Sequence, residues 1–160
     1  RDGGHATSHD GAAWATAPNH VSLVPDMRQR QGTAMTIGAI LAGRSGAVIA
    51  GARGDTVRSV VDLLAEHRIG AVPVVDGEAV VGIFSERDLV RLIAAYGPEA
   101  LDRSIDEVMT RTPVTCSSGT AVMGALSLMT QRRIRHLPVV DDGRLTGFVS
   151  IGDLVKYRID

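Results

Sequence analysis

The chain has 160 residues, 44 % of them hydrophobic but only 3 % aromatic, and a formal net charge of -1 at pH 7. That near-neutral charge excludes a general electrostatic affinity for nucleic acid or for an anionic membrane surface, since either needs a large positive excess. Its one cysteine, Cys116, excludes an intramolecular disulfide, and no apolar run reaches the roughly 18 residues of a membrane span, so a cytoplasmic globular protein with a core of Val, Leu, Ile and Ala is expected.

Residues 1 to 35 have no apolar periodicity and are rich in Gly, Ala, Ser, Thr, His and Asp, so they read as a tail that buries too little to offset its ordering entropy. They lack the basic start and apolar stretch of a signal peptide. Met35 stands where the patterned sequence begins, so this leader reads as an upstream or vector-derived extension. His5, His9 and His20 with Asp2 and Asp10 suggest a metal cluster only if their spacing is helical, and Gly3, Gly4 and Gly11 oppose a helix, so no metal site is assigned. Sixteen Arg against a single Lys suit a GC-rich bacterial gene.

A short helix is predicted at Ile37 to Leu41 and a brief strand at Ala47 to Ala50. The segment from Thr56 to His67 then places apolar residues at 57, 60, 61, 63 and 64 behind Asp55 or Thr56 as N-cap, an amphipathic helical pattern. Ala71 to Val75 and Ala79 to Phe84, separated by Asp76-Gly77, read as two strands with a tight connection, and a second helix opens after Ser85. Gly97-Pro98 stops that helix.

The same order then returns: a short helix at Ile105 to Met109, a strand at Val114 to Cys116, and a helix from about Val122 to Arg132. Strands at Leu137 to Val140 and Leu145 to Val149 flank Asp141-Asp142-Gly143, and a helix follows Ser150. Residues 54 to 93 align on residues 119 to 158 at a constant offset of 65 with 14 identities in 40 positions, which marks a duplicated module. Each copy has β-α-β-β-α order and too few strands to stand alone, so the expected fold is α/β, two such repeats packed sheet to sheet about a pseudo-two-fold axis. Residues 36 to 97 form the first copy and 98 to 160 the second.

The matched segments HRIGAVPVVD with GIFSERDL, and RRIRHLPVVD with GFVSIGDL, resemble two CBS (cystathionine-β-synthase) motifs forming one CBS pair, or Bateman module, over residues 37 to 159. The resemblance implies that Ser85 and Asp88 in copy one, and Ser150 and Asp153 in copy two, grip a nucleotide, the Ser at phosphate and the Asp at the ribose hydroxyls. Chemistry supports the assignment. A strand running into a helix offers unpaired N–H groups and a positive dipole end to a phosphate, and a carboxylate accepts both protons of a ribose diol. The alternative is a capping box, with Ser as the cap and Asp, shorter than the usual Glu, completing the first turn.

On the same resemblance the strand starts Ala71-Val72-Pro73 and Leu137-Pro138 line the clefts, Arg135 and His136 face phosphate, and Arg87 reaches the copy-one cleft where Gly152 permits close backbone approach in copy two. Thr112, Pro113, Val114 and Thr115 supply the adenine wall of copy two, and Val48 to Ala50 a weaker one in copy one, whose lead-in is three residues longer and lacks the Pro. The two clefts are therefore expected to differ in affinity. Cys116 has no partner base and reads as a core side chain.

The resemblance implies a regulatory sensor of AMP, ATP or ADP with no catalytic constellation, paired as a homodimer and reporting to a regulated protein whose identity the sequence leaves open. NAD(H) and S-adenosylmethionine share the adenosine half and stay as alternative ligands. A ligand-free dimerisation scaffold is the third reading.

Overall fold

The structure, a computed structural model, describes residues 35–159. The tail expected over residues 1 to 35, including His5, His9 and His20, lies outside the described residues except for Met35. The first copy contains α1 (Ile37–Ala42), β1 (Gly51–Ala52), α2 (Val57–His67), β2 (Ala71–Asp76), β3 (Ala79–Ser85) and α3 (Glu86–Tyr96). A 3-10 turn at Pro98–Asp102 leads to α4 (Ile105–Val108), β4 (Thr110–Arg111), α5 (Val122–Arg132), β5 (His136–Asp141), β6 (Arg144–Ser150) and α6 (Ile151–Ile159).

Local chemistry sets the boundaries of these elements. Thr56 rather than Asp55 caps α2, its hydroxyl accepting from Ser59 N–H at 3.1 Å, while Asp55 accepts from Ala52 N–H. α2 and α5 end identically, on Arg68 and Arg133 in the left-handed region at φ 53 and φ 54. Both β hairpins carry the same irregularity, between Val74 and Val75 and between Val139 and Val140.

The strands form a sheet ordered β1-β2-β3-β4 and a second sheet of β5 and β6. The two copies meet through β3 and β6, with β2 also against β6, and Leu145 N–H donates to Glu78 O between the hairpin tips at 2.9 Å. Two expected strands fall elsewhere. Residues 47 to 50 are not in a ladder, and pairing begins only at Gly51, where β1 joins β2 in parallel. Val114 to Cys116 make a single bridge, Cys116 to Val139, because Pro113 has no N–H to donate and Thr112, at φ 50, turns the chain; the paired residues are Thr110 and Arg111, against β3.

The short lead-in helices cross over between the copies. Ile37 and Ile40 of α1, both fully buried, belong to the core of the second copy with Val122, Leu128, Leu137, Val139 and Leu154. Ile105 of α4 is buried in the core of the first copy with Val57, Val60, Val72, Val74 and Phe84. The exchange is symmetric down to single hydrogen bonds. Ile37 N–H donates to Thr120 O and Val122 N–H to Met35 O, while Ile105 N–H donates to Asp55 O and Val57 N–H to Arg103 O. Each buried Ile stabilises the other copy's core by about 1.5–3 kcal/mol.

The crossing also explains one repeated glycine pair. A Cβ on Gly147 would overlap the Leu41 side chain at the end of α1, and a Cβ on Gly82 would overlap Met109 after α4. These two glycines admit the crossing helices.

Candidate functional site

The crossover builds a cleft of about 490 Å³ from both copies. Its first wall is the lead-in after α1, from Arg44 to Ile49; its second is the corner of copy one from Arg68 to Ala71; its third is the β5–β6 end of copy two with His136, Phe148, Ser150 and Asp153.

Asp153 lies in the first turn of α6 and is held there by a reciprocal pair: Ser150 N–H donates to its Oδ2 at 2.7 Å, and Asp153 N–H donates to Ser150 Oγ at 3.1 Å. Both arms of a capping box are therefore closed, and Asp is long enough to close it. The same box stands in copy one, with Ser85 N–H donating to Asp88 Oδ2 at 2.9 Å and Asp88 N–H to Ser85 Oγ at 3.2 Å. A cap holds its carboxylate in place without consuming all of its acceptor sites.

The two boxes differ in their second partner. Asp88 Oδ2 also accepts from its own Ser85 hydroxyl at 2.9 Å. Asp153 Oδ2 instead faces Arg44 Nη2 at 2.9 Å, and the other guanidinium nitrogen, Nη1, donates to Phe148 O at 2.9 Å. Burial pushes the Asp153 carboxyl up, but the Ser150 N–H and Arg44 outweigh it and hold the group below the ordinary carboxylate range.

His136 stacks flat on Phe148, the ring centroids 5.5 Å apart and the planes 9° from parallel. Burial lowers its pKa, and Arg135 adds to that, against the opposing pull of Asp153 and Glu86. The imidazole is accordingly neutral at pH 7 and offers one donor and one acceptor.

Of the residues singled out in the sequence, Val48, Ile49, Ala71, His136, Ser150 and Asp153 come together in this cleft. Val72 and Leu137 are fully buried in the two cores, so their side chains face away from it, and Pro73 and Pro138 are buried beside them. Ser85, Arg87, Thr112, Pro113, Val114, Thr115, Arg135, Leu137, Pro138 and Gly152 do not line it, and Val114 packs against the second core. Asp88 borders a different, shallower groove of about 320 Å³ with Arg91, Tyr96 and Arg103.

The lead-in that faces Asp153 belongs to copy one. It is the lead-in without the Pro, and its Val48 and Ile49 are half-buried there. Arg44, Arg68 and Phe148 are among the cleft residues that the sequence did not point to. Arg44 had one available signal: the offset between copies is 68 from Ile37 to Ile105 but 65 from Val57 to Val122, so three extra residues lie between, in the stretch that holds Arg44.

Cys116 is in the second core, where burial and then Asp141 push its thiol up to about 12. At that value the thiolate is scarce at neutral pH and the side chain packs rather than reacts. Among the described residues no group of His, Cys, Asp and Glu is arranged to hold a metal ion, and no helix is long and apolar enough to cross a membrane.

Two β-α-β-β-α copies that exchange their lead-in helices and enclose a cleft between them define a tandem-repeat α/β module. The chain belongs to the CBS-domain family, whose model matches residues 51–95 and 105–160. It is similar to the CBS-domain containing protein ATU1752 from Agrobacterium tumefaciens, a solved structure with a TM-score of 0.73 and 37 % identity that covers 80 % of this chain and 96 % of that one. Among curated relatives it is 38 % identical over 107 residues to the mitochondrial CBS domain-containing protein CBSX3 of Arabidopsis thaliana, matching 64 % of this chain and about half, 52 %, of that protein's length. The CBS domain pair of protein MJ0100, at 26 % identity and a TM-score of 0.69 over 78 % of this chain and 96 % of that one, was solved in complex with 5-methylthioadenosine and S-adenosyl-L-methionine.

Proposed function

We propose that this chain is a regulatory, non-catalytic module that binds an adenine nucleotide, AMP foremost and ATP or ADP next, in the cleft built on Asp153. One observation carries the reading: an ionised carboxylate at a helix start stands opposite apolar lead-in residues and beside cations from the other copy. Asp153 accepts the ribose diol, Val48 and Ile49 cover the adenine, and Arg44 and Arg68 suit a phosphate. Because both copies line the cleft, a ligand there changes the relative stability of their arrangements and so reports its concentration to a partner protein.

Residues 36–97 and 98–160 form one unit on this reading, since each copy completes the other's core. Val90 and Tyr96 on α3, Met123 on α5 and Val155 and Tyr157 on α6 are large apolar side chains left exposed. They suit pairing of two chains into a homodimer.

The MJ0100 complex favours a second reading, in which the ligand is S-adenosylmethionine or a related thionucleoside; NAD(H) shares the same adenosine half. The two cations in the cleft weigh against a sulfonium. A thermal-shift series with AMP, ADP, ATP, NAD, NADH and S-adenosylmethionine separates these ligands. A ligand at a hundredfold excess over its dissociation constant stabilises the protein by about 2.7 kcal/mol. AMP should raise Tm most, and the rise should fall to about half or less in Asp153→Ala. A flat response to all six would overturn nucleotide sensing in favour of an empty scaffold.

A further inference from the structure

Arg44 lines the cleft and pairs with Asp153, the carboxylate to which the proposed function gives the ligand sugar. It lies in the stretch of the copy-one lead-in that has three residues more than its counterpart, and the matching stretch of copy two sends Arg111 elsewhere, its Nη2 donating to Asp106 O at 2.7 Å. Gly43 caps α1 before it, and Gly46, at φ 93 with open space around it, follows two residues later and turns the chain. From there the guanidinium reaches over to copy two, to Phe148 O and Asp153 Oδ2.

A carboxylate oxygen has about two acceptor directions, and both at Oδ2 are taken, one by Ser150 N–H and one by Arg44. A ribose diol that donates one proton to each carboxylate oxygen therefore enters only where the guanidinium leaves. With a neutral nucleoside, the ion pair is broken and nothing replaces it. With a phosphate-bearing ligand, the displaced guanidinium has a new anion within the same cleft, and Arg–phosphate pairs are among the stronger charge-assisted hydrogen bonds.

We propose that Arg44 is the specificity-determining residue of this cleft: by pairing with Asp153 in the unliganded protein, it makes entry of an adenosine ligand conditional on that ligand carrying phosphate. The inference rests on the adenosine-binding reading of the cleft and assigns it a selector. It also gives the longer lead-in a purpose, since the copy without the extra residues has no arginine on its Asp88 among the described ion pairs.

The test is calorimetric titration of AMP and of adenosine into the wild-type chain, Arg44→Gln, Arg44→Lys and Asp153→Ala. The wild type should prefer AMP over adenosine by at least about thirtyfold, and Arg44→Gln should cut that preference about tenfold, weakening AMP while adenosine binds as well or better. Arg44→Lys should retain more of the preference than Arg44→Gln. Arg44 is exposed, so unliganded melting temperatures close to wild type would establish that the variants fold. An unchanged preference in Arg44→Gln, with AMP binding still weakened about tenfold or more in Asp153→Ala, overturns the selector and leaves the cleft assignment standing. Equal weakening of both ligands also overturns it. Absence of binding by the wild type overturns the cleft assignment and the selector together.

Discussion

The two Ser-x-x-Asp boxes share their Ser and Asp and are nearly identical in cap geometry, yet they face different surroundings. Ser85 and Asp88 close on each other, whereas Asp153 is shared between its own copy and an arginine from the other. A matched motif in a duplicated protein thus fixes the local turn, and what enters from the opposite copy decides whether the motif lines a cleft. Here the entering segments differ by three residues, and the symmetry of the backbone breaks at that point.

The comparison breaks most sharply on ligand affinity. Replacing Asp153 by Ala should weaken nucleotide binding by about 10- to 100-fold, the range for a lost hydrogen-bonded charge, and the same change at Asp88 should leave it within about twofold. Isothermal titration reads both, and the wild type should bind one nucleotide per chain. Equal losses from the two substitutions, or two sites per chain, would show that the copies are functionally equivalent.

A second contrast concerns the crossing helices, where the copies should behave alike. Gly147→Ala drives a methyl into Leu41, and Gly82→Ala drives one into Met109. Each should cost about 1–3 kcal/mol of stability by overpacking, measured as a shifted urea midpoint with an unchanged slope. Only Gly147→Ala should also weaken ligand binding, because Leu41 and Gly147 border the cleft while Gly82 does not. If Gly82→Ala disturbs the ligand as much, the two lead-ins communicate through the shared cores.

Much of this architecture is legible in the sequence. Strand alternation, helical spacing at Val57 to Leu64 and the constant offset of 65 specify the hairpins, the long helices and the duplication, because each depends on neighbours in the chain. The crossover is not legible. α1 has six residues and α4 four, long enough to show that Ile37, Ile40 and Ile105 must be buried but not which copy buries them. From that one ambiguity follow the differences in the site: Val48 and Ile49 face Asp153 in place of Thr112 to Thr115, and Arg44 enters as the carboxylate's partner. Arg135 and His136 are adjacent in sequence and both suit a phosphate by type, but only His136, the first residue of β5, lines the cleft, while Arg135 lies before the strand.

The smallest predicted difference between the copies is a pH dependence. His136 in copy two corresponds to Ala71 in copy one, so only one copy has a titrating group at the start of its central hairpin. Its folded pKa lies below the ordinary 6.5, chiefly through burial. Between that lowered value and 6.5 the unfolded chain binds more protons than the folded one, so stability is fully present above 6.5 and declines as pH falls toward the folded value. Urea unfolding between pH 8 and pH 5.5 should show this decline in the wild type. His136→Phe, which keeps a ring on Phe148 and removes the titration, should flatten it. Asp153 acts in the same direction but in a lower window, since its depressed pKa contributes stability above the ordinary carboxylate value that is lost only as pH falls well into the acid range. A slope near pH 6 that survives in His136→Phe would assign it to another group, and ligand should then be tested for the same dependence, since the stacked ring borders the cleft that Asp153 and Arg44 share.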